Sequence, residues 1–217
     1  VEGVSFDFPA IMQRKEQVVK QLVAGVESLM RKNKVRVIKG IGTILDAKRV
    51  GIKGGREEII SDNIIVATGS KLMKVPIEGI EGQGVMTSDD ILQIDYVPKS
   101  IIIIGGGAIG LEFAQILHSM GCETTIVEMM PQILPTEDTE IAQMLEAILK
   151  EKGVEMFTNA TVKSIKDTPR GKKVSFVIRD AENEKVAEKV LVAVGRQPSI
   201  DDLGLEKLDI AVNKGSL

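Results

Sequence analysis

The chain has 217 residues, 43% hydrophobic and 27% charged, enough apolar material to bury a core in one or two domains. A net charge of −3, with both signs interspersed, excludes a basic nucleic-acid surface and a polybasic membrane anchor. No apolar run approaches the roughly 18 residues of a membrane span, and a lone cysteine allows no internal disulfide, which fits a reducing, cytoplasmic setting. The opening residues, Val1-Glu2-Gly3-Val4, carry neither a starting Met nor a signal-peptide pattern, so the chain reads as cut from something longer.

After a lead-in closed by Pro9, helical periodicity runs from about Ala10 to Lys32, with Ile11, Val18, Val19, Leu22, Val26 and Leu29 as the apolar stripe of a scaffold helix. Val35–Lys39 reads as a strand. Thr43–Leu45, Lys48–Ile52 and Glu58–Ile60 form a small antiparallel meander around a Gly54-Gly55 turn. Asn63–Ala67 is a strand of the fully buried type, ending in Thr68-Gly69-Ser70. Lys71 to Pro98, rich in Pro, Gly and Asp, reads as a connection between domains.

Ile101–Ile104 is four β-branched residues without polar alternation, a strand buried on both faces. Gly105-x-Gly107-x-x-Gly110 follows, and then a helical pattern through Leu111, Ala114, Ile116 and Leu117. Strand, glycine turn and helix make the dinucleotide-binding arrangement. Gly105 allows the tight turn, Gly107 lets a diphosphate approach the backbone, and Gly110 packs helix against strand. A second strand, Thr124–Val127, ends in Glu128, 18 residues after Gly110, where an acid accepts hydrogen bonds from the adenosine ribose hydroxyls. Met129-Met130-Pro131-Gln132-Ile133 supplies no cation for a 2′-phosphate, so the spacing predicts NAD(H) rather than NADP(H).

Asp138–Lys152 is an amphipathic helix with Ile141, Leu145, Ile148 and Leu149 on one face, stopped by Gly153, and Val154–Phe157 is a third strand. Thr161–Ile165, Lys173–Ile178 and Val186–Lys189 alternate polar and apolar residues, as an antiparallel meander laid over a parallel sheet would. Val190–Val194 is again a fully buried strand, ending in Gly195. It echoes Asn63–Gly69, and Gly69 and Gly195 are both candidates to pass close to a nucleotide.

Ile65-Val66-Ala67-Thr68-Gly69-Ser70, Gly105 through Phe113, Val127-Glu128 and Val192-Ala193-Val194-Gly195-Arg196-Gln197-Pro198 together carry a resemblance along essentially the whole chain. The chain resembles the flavoprotein disulfide reductases with two dinucleotide-binding domains. The resemblance implies an α/β, Rossmann-like FAD/NAD(P)-binding fold, a parallel sheet with an antiparallel meander crossover, plus part of a second similar domain. It implies residues 1–97 as a partial FAD-binding domain, 98–196 as the NAD-binding domain and 197–217 as a truncated return to the first. Gly105, Gly106, Gly107, Ala108, Ile109, Gly110, Glu112 and Glu128 would hold NAD, with Val162 near the adenine and Ala193, Val194, Gly195 and Arg196 closing the site. Gly42, Thr68, Gly69 and Ser70 would touch FAD. Glu112 would point to the nicotinamide–flavin junction; from the residues alone it is an acid in the first helical turn, complementing the helix dipole.

Within the family, the motifs sit nearest the members that oxidise dihydrolipoamide. The resemblance therefore implies electrons passing from dihydrolipoamide through a cysteine pair and FAD to NAD. It further implies a lipoyl-bearing component of a 2-oxoacid dehydrogenase or glycine cleavage complex as partner, and a homodimer. Two alternatives stand beside this: another NADH-dependent flavoprotein, such as a CoA-disulfide or mercuric reductase relative, and a non-catalytic NAD-binding module. The family's N-terminal FAD fingerprint, redox cysteines and C-terminal His-Glu pair have no counterpart here, so no catalytic residue and no metal site is assigned. Cys122 and His118 read as structural. An internal fragment of this kind is expected to lack dihydrolipoamide turnover and to associate through uncovered apolar surface.

Overall fold

The computed structural model describes residues 5–55, 57–208 and 210. These residues divide into two compact units: Gln17–Leu72 with residues 196–208 and 210, and Met73–Gly195 with residues 5–16. Residues 73–97, which the sequence reads as a connection ahead of a boundary at 97/98, join the unit that carries the glycine fingerprint.

Helix α1 (Phe8–Lys32) contributes residues to each unit and starts earlier than its periodicity predicts. Asp7 caps it by accepting the Ala10 N–H at 3.0 Å, and Pro9 fits the first turn, where its missing N–H costs nothing. None of its residues is buried, and the stripe of Val19, Leu22, Val26 and Leu29 is open.

In the smaller unit, β1 (Gly42–Asp46), β2 (Arg49–Ile52) and β3 (Glu58–Ile60) form the expected antiparallel meander in the order β1-β2-β3. The two strands expected at Val35–Lys39 and Asn63–Ala67 do not form, and Ile65 is 90% exposed. A strand of the fully buried type needs hydrogen-bonding neighbours and cover on both faces. No described strand runs alongside either segment, so the repeat with Val190–Val194 holds in sequence but not in structure. β4 (Ser70–Leu72) pairs antiparallel with a late strand, Arg196–Pro198.

The larger unit is built on a five-stranded parallel sheet. Its strands are β5 (Val85–Thr87), β6 (Ser100–Ile104), β7 (Glu123–Val127), β8 (Glu155–Phe157) and, further along the chain, Lys189–Val192, which pairs with both β5 and β6. β5 therefore comes from the segment read as a connection; at three residues it is too short to show periodicity. Helices α2 (Ala108–Ser119) and α3 (Thr139–Glu151) share one core with Ile101 and Ile103, through Leu111, Ala114, Leu117 and Leu149. Ile102 and Ile104 belong to a second core with Val174, Phe176 and Val190. The uninterrupted isoleucine run exists because alternate side chains enter different cores.

That second core lies under the antiparallel meander of β9 (Ala160–Thr168), β10 (Gly171–Ile178) and β11 (Ala181–Ala187), which leads into β12 (Lys189–Val192) and then β13 (Arg196–Pro198). β11 starts earlier than Val186 because Arg179 and Asp180, with φ of 46° and 67°, make a two-residue turn of the mirror-image kind that hairpins favour. Without Gly or Asn there, the sequence hides it. Asp138 caps α3 by accepting the Glu140 N–H at 2.9 Å. The buried line of α3 is Ala142 and Leu149, with Leu145 half-buried; Ile141 and Ile148, expected inward, are exposed, as is Ile116 of α2.

Candidate nucleotide-binding pocket

A cavity of about 610 Å³ opens at the carboxyl ends of β6, β7 and β12, where ligands bind in open parallel sheets. Ile104 and Gly105 leave β6, Val127 and Glu128 end β7, and Ala193, Val194 and Gly195 follow β12. The start of β9, from Ala160 to Lys163, and the segment around Met73 to Ile77 complete the wall, which is mainly apolar.

The three fingerprint glycines answer to different constraints. Gly105 has φ +108°, and a Cβ there would lie 2.5 Å from the Ala193 carbonyl oxygen. A Cβ on Gly110 would lie 2.1 Å from the Gly105 oxygen, so close packing of helix on strand requires the glycine. Gly107, the N-cap of α2, has open space where its Cβ would stand and makes no side-chain cap. The first-turn N–H groups of α2 thus lack a side-chain acceptor and face a site that backbone can approach closely. Such a cradle fits a diphosphate.

Glu128 is 7% exposed, and its carboxylate is clamped by backbone: Oε2 accepts the Gly106 N–H and Oε1 the Met130 N–H, each at 2.6 Å. The acid at the end of β7 is thereby tied to the middle of the glycine turn. A carboxylate oxygen can accept more than one hydrogen bond, so capacity remains for ligand hydroxyls.

Of the residues singled out in the sequence, Gly105, Gly107, Glu128, Val162, Ala193, Val194 and Gly195 line this cavity together. Gly106 is buried beneath it, and Ala108, Ile109 and Gly110 form the first turn of α2 without lining it. Glu112 is exposed and falls beyond the first turn, because α2 begins at Ala108; the dipole role expected of it weakens there. Arg196 lies in the smaller unit, where its guanidinium donates to Ser70 Oγ at 2.8 Å and Ser70 O at 2.9 Å.

The four residues expected at a flavin are not gathered around one cavity. Gly42 lines a hollow of about 770 Å³ with Thr43, Gly51, Asp201 and Asp202, whereas Thr68, Gly69 and Ser70 are exposed elsewhere on the unit. Sequence reasoning missed Lys163, Thr161, Met73 and Pro135 as pocket residues. None of them carries a signal in the sequence; Lys163 stands out only once the pairing of β9 with β10 is known.

Cys122 is 1% exposed, and burial pushes its thiol up to about 11. His118 joins the ends of α2 and α3, its Nε2 lying 2.7 Å from the Lys152 carbonyl. Neither touches the pocket, and among the described residues no group of three His, Cys, Asp or Glu is placed to hold a metal. No helix of the described residues is long and apolar enough to cross a membrane.

Fold and pocket together define a dinucleotide-binding α/β protein of the FAD/NAD type. The chain belongs to the pyridine nucleotide-disulphide oxidoreductase family, whose profile matches residues 2–217. It is similar to a dihydrolipoyl dehydrogenase of Bacillus subtilis (strain 168), 39% identical over 99% of this chain and 48% of the relative. It is also similar to the dihydrolipoyl dehydrogenase of Acholeplasma laidlawii, 38% identical over 99% of this chain and 62% of the relative. Among solved structures, the HOCl-induced flavoprotein disulfide reductase RclA from Escherichia coli superimposes with a TM-score of 0.82 at 31% identity, covering 97% of this chain and 48% of that one. The chain thus spans about half the length of most of these relatives.

Proposed function

We propose that the chain is the NAD(H)-binding portion of a dihydrolipoyl dehydrogenase. The parent enzyme would move reducing equivalents from dihydrolipoamide, by way of a cysteine pair and FAD, to NAD+, as a cytoplasmic homodimer serving a lipoyl-bearing component of a 2-oxoacid dehydrogenase or glycine cleavage complex. The names of the curated relatives support this reading. The observation that carries it is Glu128, buried at the end of β7 and bonded to the Gly106 N–H within the pocket.

When bound, the nicotinamide supplies the hydride chemistry, and the protein supplies position and environment. Gly105, Gly106, Gly107, Ala108, Ile109 and Gly110 bring backbone N–H groups to the diphosphate. Glu128 accepts from the adenosine ribose, its orientation fixed in advance by Gly106 and Met130. Val162 flanks the adenine, Ala193, Val194, Gly195 and Arg196 close the site, and Glu112 would point to the nicotinamide–flavin junction of the parent enzyme. Gly42, Thr68, Gly69 and Ser70 belong to the smaller unit, the FAD-binding part, which requires the rest of the parent protein to become a site.

A fluorescence titration of the chain with NADH and NADPH tests the reading. Saturable binding with a preference for NADH, reduced in Glu128→Ala, is the expected result; no binding of either nucleotide would refute it. A second reading, another NADH-dependent flavoprotein disulfide reductase, is favoured by the structural likeness to RclA. Dihydrolipoamide turnover by the parent protein separates the two. The chain alone is expected to show none, which a non-catalytic nucleotide module would share, and the parent assay excludes that module as well.

A further inference from the structure

The pocket wall holds only two ionisable side chains among the described residues, Glu128 and Lys163. Glu128 spends part of its hydrogen-bonding capacity on backbone. Lys163 has no ion-pair or hydrogen-bond partner among the described residues, and this sets it apart within its own sheet. Lys166 pairs with Glu78, Lys172 with Asp167, Lys173 with Glu184 and Lys185 with Glu155. Every other lysine of the meander strands is thus neutralised.

The backbone explains how this lysine reaches the pocket. In the β9–β10 ladder Ser164 faces Ser175 and Val162 faces Phe176, so Lys163 is the extra residue of a β-bulge. A bulge breaks the two-residue alternation and re-aims one side chain. Its trace is the pair of consecutive buried residues just after it, Ser164 and Ile165. Ala160, Thr161, Val162 and Lys163 all border the pocket, and at the last of them the bulge leaves the residue without a partner across the ladder. The strand start is anchored beside the acid as well, since the Ala160 N–H donates to the Glu128 carbonyl at 2.9 Å. The start of β9 therefore lies beside Glu128, on the adenosine side of a bound dinucleotide, and Lys163 follows three residues further along the same wall.

We propose that Lys163, the extra residue of this bulge, is a nucleotide-binding residue whose ammonium pairs with a phosphate of the bound nucleotide. The inference rests on the nucleotide-binding reading above and goes beyond it. It names a cation that the β7–α3 loop lacks, and it gives the site a means of binding phosphate that does not depend on the N-terminus of α2. Both the diphosphate bridge and a 2′-phosphate carry the required charge.

The test is titration of the full chain, as wild type, Lys163→Gln and Lys163→Arg, with NADH and NADPH at low and at about 0.5 M salt, where screening is nearly complete. An exposed ion pair predicts that Lys163→Gln loses about three-fold in affinity at low salt, that the loss vanishes at high salt, and that Lys163→Arg restores it. Equal loss for both nucleotides assigns the charge to the diphosphate, and loss confined to NADPH assigns it to the 2′-phosphate. A wild type that binds while Lys163→Gln binds equally well overturns this inference alone. A wild type that binds neither nucleotide overturns the nucleotide-binding reading with it.

Discussion

Removing the Glu128 carboxylate should damage the fold as well as the ligand site, and the amide should scarcely rescue it. In Glu128→Ala the Gly106 N–H, inside a buried bond, and the Met130 N–H, in a part-buried one, both lose their acceptor. An orphaned buried donor costs about 1–3 kcal/mol, so the two together cost about 3 kcal/mol. For a chain of this size, each kcal/mol shifts the melting midpoint by roughly 2–4 °C, so about 6–12 °C is expected. Glu128→Gln keeps the volume and one acceptor oxygen, but its NH2 must face one of the two N–H donors. It should therefore lose about 2 kcal/mol, most of the alanine effect, because a donor faces a donor. Thermal melts followed by circular dichroism, with NADH titration well below the lower midpoint, separate instability from lost ribose contacts. A Glu128→Gln variant melting within about 1 °C of wild type would refute the clamp and return Glu128 to a purely ligand-facing role.

The fingerprint glycines should part company under substitution. Gly110→Ala drives a Cβ to within 2.1 Å of backbone and should unfold or strongly destabilise the unit, whereas Gly107→Ala meets open space and should melt normally while losing nucleotide affinity at least ten-fold; equal melting of the two would contradict the assignment. Cys122, buried with its thiol pushed up to about 11, should resist an aromatic disulfide reagent at pH 8 until denaturant is added, and rapid labelling of the native chain would show that its surroundings open. The Glu188 carboxyl is held below its ordinary value of 4.5, first by the Lys99 N–H and then by the Tyr96 hydroxyl. Its lowered value means that its contribution is complete above about 4.5 and is lost as pH falls through the folded value, so Glu188→Gln should lower the neutral plateau of a stability–pH profile, leave the acid end near wild type and thereby flatten the limb between them.

The sequence by itself determined the parts in which local and global demands coincide. Four isoleucines in a row specify a doubly covered strand, and Gly105, Gly107 and Gly110 specify the turn after it. Glu128 at a fixed spacing specifies the acid at the pocket, because a βαβ unit of this length has little freedom in where its second strand ends. Tertiary structure decided what depends on neighbours distant in sequence. Asn63–Ala67 has the composition of a core strand, yet it stays open for lack of a paired strand among the described residues. Val85–Thr87, without periodicity of its own, becomes a sheet edge because β12 offers it a ladder. Ile141 faces out while Ala142 faces in, since the buried line of α3 is set by how the helix packs into a core built from distant residues. Lys163 reads as a solvent-facing residue of an alternating strand until the pairing of β9 with β10 shows one residue too many. Register belongs to two strands together, and neither sequence alone carries it.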